Sequence, residues 1–149
     1  MTTQNKIRML VVDDSAFMRK AIQMMVADDP GIEIIGQAAN GKDAIERVLE
    51  LRPDLVTMDI EMPQMDGLAA LRQIMEKHPT PVIMVSSLTS EGAKITLDAL
   101  DLGAVDFIPK QQSFVSLDIV KIKADLIAKI HHIYTRRRTL MAQYALRKG

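Results

Sequence analysis

Five short apolar runs lie between Ile7 and Ile108, and the stretches between them place their apolar residues at helical spacing. Runs of Val, Ile, Leu and Met with almost no polar interruption suit strands buried on both faces, which arise where helices cover both sides of a parallel sheet. The alternation therefore points to an α/β architecture.

The first strand is predicted over Ile7–Val12, broken only by Arg8. Ser15 is placed to cap a helix carrying Phe17, Ala21, Ile22, Met25 and Val26, ending near Asp29-Pro30-Gly31. Ile32–Ala39 reads as the second strand and Asn40-Gly41 as a turn; Ala44, Ile45, Val48, Leu49 and Leu51 mark a helix before Pro53. Leu55–Met58 and Pro81–Val85 read as the third and fourth strands, with helices over Gly67–Lys77 and Ser90–Leu102, the latter closed by Gly103. Ala104–Ile108 supplies the fifth. Right-handed crossovers limit the windings, and fold frequency favours the doubly wound order 2-1-3-4-5. That order sets strands one and three side by side, with the ligand-binding switch point between their carboxyl ends.

A chain of 149 residues with 48% hydrophobic content can bury one substantial core. It has no cysteine, which excludes a disulfide framework and any thiolate metal site. No apolar run reaches bilayer length, and Met1–Arg8 lack the hydrophobic segment of a signal peptide. The expectation is a soluble, cytoplasmic protein with no membrane span.

Polar groups gather at one end of these strands. Asp13-Asp14 closes the first run, Asp59 the third and Ser86 the fourth, and Lys110 follows the fifth. Singly, each has an ordinary explanation: an acidic pair before a helix complements its dipole, a lysine is solvated, a serine begins a turn. Jointly, they occupy the edge where open α/β sheets bind ligands. Carboxylates that converge there repel one another, and a cation relieves the repulsion. Oxygen donors without cysteine or a nearby histidine favour Mg²⁺, or Mn²⁺, over zinc. Metal, carboxylate and lysine together are the ingredients of phosphoryl transfer.

The segments Val11-Val12-Asp13-Asp14-Ser15, Met58-Asp59-Ile60-Glu61-Met62-Pro63-Gln64-Met65-Asp66-Gly67, Val85-Ser86-Ser87 and Asp106-Phe107-Ile108-Pro109-Lys110 resemble the receiver domain of two-component response regulators. Within that family, Pro81–Thr89 and Ile95–Ile108 are most similar to the receiver half of the chemotaxis protein-glutamate methylesterase. The resemblance covers about residues 5–130 and implies a flavodoxin-like fold. It implies that Asp59 accepts a phosphoryl group from a histidine kinase, and that Asp14, Asp59 and the backbone carbonyl of Glu61 ligate Mg²⁺ while Asp13 acts mainly through water. Ser86 and Lys110 would bind phosphoryl oxygens, and Phe107 would turn inward as Ser86 moves, altering contacts with a downstream effector. One departure is that Gln111 follows Lys110 where many receivers have proline; here Pro109 precedes it, and the fifth strand should end there.

From Ser116 the pattern is helical, with Ile119, Ile122, Leu126, Ile130 and Ile133 in one stripe and Val120, Ala124, Ile127 and Tyr134 beside it. A continuous helix over Leu117–Lys148 would run about 48 Å. Receivers normally end in a helix about half as long, so residues 1–130 are assigned to a receiver and 131–149 to a basic extension or linker that projects or packs elsewhere. Residues 1–118 carry 11 Lys/Arg against 18 Asp/Glu, whereas 119–149 carry 8 against one. Arg136-Arg137-Arg138 suits a solvated face or linker, a dimer or partner-docking helix, or contact with nucleic acid or anionic membrane. No DNA-reading helix-turn-helix is recognisable and Tyr134 and Tyr144 are too few for RNA stacking, so a nucleic-acid partner is not expected.

Ester hydrolysis would need a serine, a histidine and an acid on a further domain. After residue 115 there are only His131 and His132, with no glycine-flanked serine, so no esterase site is expected in these residues. Two further readings stand beside the switch: a regulatory fragment of a methylesterase, and an interaction module independent of phosphorylation.

Overall fold

The structure, a computed structural model, describes residues 6–62, 65–86, 90–109 and 118–148, side chains at 90–92 and 118–119 excepted. The order of elements is β1 (Ile7–Val12), α1 (Ala16–Val26), β2 (Ile32–Ala38), α2 (Gly41–Leu51), β3 (Leu55–Asp59), α3 (Gly67–Lys77), β4 (Val82–Ser86), α4 (Ser90–Leu102), β5 (Asp106–Pro109) and α5 (Asp118–Lys148). All pairings are parallel, in the order β2-β1-β3-β4-β5.

Successive strand residues point to opposite faces, and the apolar runs feed two cores. Leu10, Val12, Val56, Met58, Val82 and Met84 pack under α2, α3 and α4. Met9, Val11, Leu55, Ile83, Val85 and Ile108 pack under α1 and α5. Met9, Met58, Met84 and Leu55 are fully buried, and each such side chain contributes about 1.5–3 kcal/mol through removal from water.

Several boundaries differ from the sequence expectation for identifiable reasons. Asn40 caps α2, its Oδ1 accepting from Asp43 N at 2.8 Å, and Gly41 is the first helical residue rather than part of a turn. A Cβ on Gly41 would come within 2.7 Å of the Met65 carbonyl oxygen, so glycine lets this helix end approach the loop before α3. β4 begins at Val82 rather than Pro81, and β5 at Asp106 rather than Ala104. Ala104 N is taken by Ala99 O at 3.0 Å in closing α4, and Gly103 supplies the left-handed turn with φ +118°. β2 stops at Ala38, and α1 ends at Val26. Phe17 and Leu49 are exposed.

Along α5, Ile122, Leu126, Ile130 and Ile133 form the buried stripe, whereas Val120 beside it is exposed. The helix continues without a break over 31 residues, about 46 Å. Its far end packs beneath the sheet. Leu140 joins the α1 layer, while Met141 and Tyr144 reach the α3/α4 layer. The Tyr144 ring lies where a Cβ on Gly103 would be, 2.8 Å from Cε1. Arg137 donates to Tyr134 O at 2.7 Å, stacks 3.9 Å from the Tyr134 ring centroid, and brings Nε to 4.0 Å from Asp54 Oδ1. Among the described residues no helix is long and apolar enough to cross a membrane.

Candidate functional site

Parallel register builds the site. Val12 pairs with Met58, so the next residues, Asp13 and Asp59, leave β1 and β3 side by side. Asp13, Asp14 and Asp59 each offer a carboxylate oxygen, and the three oxygens lie within 4.8 Å of one another. Asp13 and Asp59 are buried, at 0% and 1% exposure, whereas Asp14 is exposed.

Local hydrogen bonds fix each acid. Ser15 N donates to Asp13 Oδ1 at 2.9 Å, and Ser15 Oγ caps α1 by accepting from Met18 N at 3.3 Å, setting Asp13 at the positive end of that helix. Arg19 donates from Nη1 to Asp13 O at 2.7 Å and from Nε to Gln37 Oε1 at 3.0 Å, tying the turn to β2. Glu61, exposed in the loop after β3, donates its N–H to Asp59 Oδ1 at 3.3 Å. That loop closes where Gly67 N donates to Ile60 O at 2.8 Å. Asp66 Oδ1 then caps α3 by accepting from Ala69 N at 2.9 Å. Gly67 is required here because a Cβ would collide with the Asp59 carbonyl oxygen and come within 2.8 Å of Ile60 Cα.

An oxygen-only trio with two buried members and one exposed member fits a hard divalent cation that keeps part of its hydration. Asp14 is the member of the trio that faces solvent.

Ser86 ends β4, with Val85 paired to Asp59 and Ser86 itself to Pro109. Its Oγ accepts from Thr96 Oγ1 on α4 at 2.8 Å. Phe107 is 42% exposed. The Lys129 ammonium lies 5.4 Å from its ring centroid and donates to Phe107 O at 2.8 Å, with Asp106 at 3.4 Å and Asp125 at 3.2 Å. Lys110 lies outside the described residues, as do Pro63, Gln64, Ser87, Leu88, Thr89, Gln111 and Leu117. β5 is described as far as Pro109.

The sequence reading did not single out Arg19, Thr96 or Lys129. Thr96 carried a signal: it is a hydroxyl three residues before the buried Ala99, on the inward side of α4. Arg19 and Lys129 act across tertiary contacts that sequence spacing does not reveal.

The profile of the response regulator receiver domain family matches residues 9–120. The chain belongs to this family. It is 60% identical over 131 residues, 88% of its length and 36% of the relative's, to a protein-glutamate methylesterase/protein-glutamine glutaminase of Oleidesulfovibrio alaskensis. The response regulator domain of Thermotoga maritima CheB superposes with a TM-score of 0.79 at 49% identity, covering 88% of this chain and 98% of that one. A chain of the CheX-CheY-BeF3-Mg²⁺ complex from Borrelia burgdorferi gives 0.73 at 32% identity, covering 87% and 90%. Family, sheet and carboxylate cluster together identify the receiver as a phosphoacceptor switch. The 131 matched residues span about a third of the methylesterase relative, and they include the stretch that matches the receiver family.

Proposed function

We propose that Asp59 is the phosphoacceptor of this receiver, with Mg²⁺ as the working cation and Mn²⁺ as an acceptable substitute. The observation that carries this reading is the convergence of Asp13, Asp14 and Asp59 within 4.8 Å at the switch point between β1 and β3. Asp14, Asp59 and the Glu61 carbonyl would hold the cation directly, with Asp13 acting through water. Bound there, the cation would offset charge as a phosphoryl group approaches the acids.

An Asp59 oxygen attacks phosphorus in line while the P–N bond of a kinase phosphohistidine breaks, the electron pair returning to the imidazole ring. The buried β3 terminus orients the attacking oxygen, and the Glu61 N–H steadies Oδ1. The acyl phosphate brings more negative charge and three acceptor oxygens, for which Ser86 and Lys110 are the proposed partners. Phe107 then turns inward, and the surface of α4, β5 and α5 changes for an effector. Full conversion from 1:99 to 99:1 needs about 5.5 kcal/mol of preference, more than one neutral hydrogen bond supplies.

Acetyl phosphate and Mg²⁺ are expected to add one phosphoryl mass, and D59N to abolish the addition. Undiminished labelling of D59N in the native protein sinks the assignment.

A second reading is favoured by the share of the relatives that this chain spans: the receiver regulates a methylesterase domain, in cis or in trans. Adding the receiver, with and without beryllofluoride, to such a domain tests it. A cytoplasmic location belongs to the same proposal, since an ATP-fuelled kinase is the donor; fractionation of cells tests it. Self-association through α5 is read out by solution mass before and after activation.

A further inference from the structure

The buried contact between Ser86 and Thr96 has a role that the phosphoacceptor chemistry alone does not assign. Ser86 Oγ and Thr96 Oγ1 are 2.8 Å apart, each residue is 5% exposed, and they sit on different elements, β4 and α4. On β4, Ser86 has the parity of Val82 and Met84, which pack toward α4, whereas Asp59 has the parity of Leu55, which packs toward α1 and α5. The Ser86 hydroxyl therefore rests on the helix side of the strand. Reaching a phosphoryl group on Asp59 requires it to turn, leaving the Thr96 donor and donating its own hydroxyl proton to a phosphoryl oxygen. Thr96 keeps a partner within reach when the bond is given up, because a helical threonine hydroxyl can turn to the carbonyl one turn earlier.

We propose that Thr96 is a positioning residue that holds Ser86 in its resting place, and that release of this bond couples the event at Asp59 to α4. This rests on Asp59 as phosphoacceptor and deepens that reading. Only the resting arrangement contains the bond, so deleting the Thr96 hydroxyl favours the activated arrangement. A neutral hydrogen bond of ordinary net strength corresponds to about a fivefold change in the equilibrium.

The test is beryllofluoride affinity in the presence of Mg²⁺, followed by backbone NMR on the whole chain. T96V is expected to bind about fivefold more tightly than wild type, and T96S, which keeps the hydroxyl, to match wild type. Introduced on top of S86A, T96V is expected to change nothing further; a purely structural role for Thr96 would persist in that background. T96A serves the same purpose if valine disturbs packing. Wild-type affinity in T96V and T96A overturns the latch, as does an equal effect with and without Ser86. Failure of the wild type to respond to beryllofluoride overturns the phosphoacceptor reading instead, and the latch with it.

Discussion

His131 Nε2 lies 2.7 Å from Asp29 Oδ2, joining α5 to the turn between α1 and β2. The hydrogen bond from His131 holds the Asp29 carboxyl below its ordinary value, against the opposing effect of burial and with help from the Gly31 N–H and the His131 charge. Because folding favours the ionised form, the contribution is fully present above the unfolded value of about 4 and disappears as pH falls through the lower folded value. D29N should melt below wild type at neutral pH, and the two curves should converge as the solution is acidified through the lowered folded-state value. A gap that stays constant across the acid range would show that ionisation is not its source.

Gly67 makes a second, sharper prediction. G67A must displace either the Asp59 carbonyl or the start of α3, and overpacking of this kind costs about 1–3 kcal/mol. Urea titration should show that loss. Phosphorylation by acetyl phosphate should fall further than the unfolded fraction explains, because the strain lands on the backbone of the acceptor. Normal labelling in a destabilised G67A would separate the glycine from the site.

Lys129 touches both the carbonyl and the ring of the outward-set Phe107. K129M should leave stability within about 1 kcal/mol, since partly solvated ion pairs and cation–π contacts are individually weak. It should raise the fraction of inward-turned Phe107 seen in aromatic NMR spectra before any activation. An unchanged ring environment would remove Lys129 from the account of the switch.

At the far end of α5, Y144A should destabilise the receiver by about 1–3 kcal/mol through lost packing on Gly103 and on the α3/α4 hydrophobic layer. L146A, at a residue that is 82% exposed, should stay within about 0.5 kcal/mol. Equal melting of the two variants would mean that the helix end is not seated.

The strands were legible in the sequence from simple rules, whereas their order came from fold frequency, and the acidic trio followed from that order. Buried strands advertise themselves as apolar runs, and the parallel pairing of Val12 with Met58 places Asp13 beside Asp59. Less legible were features set by one extra residue or by distant partners. The β-bulge that pairs Met9 with Ile34 but Leu10 with Gly36 leaves no mark in the apolar pattern. Asn40-Gly41 reads equally well as a turn and as a capped helix start, and the approach of Met65 to Gly41 is what requires glycine. The seat of residues 140–144 depends on Gly103, some forty positions earlier, which the helical period of α5 cannot reveal.

That seat bears on how the molecule comes apart. By touching Leu140 to one hydrophobic layer and Met141 with Tyr144 to the other, the last turns of α5 clasp both sides of a sheet that otherwise keeps them separate. Neither side can then loosen alone. Amide protons in β1 and β3 should exchange only in rare openings shared by both layers, and severing the clasp should split that single event into two.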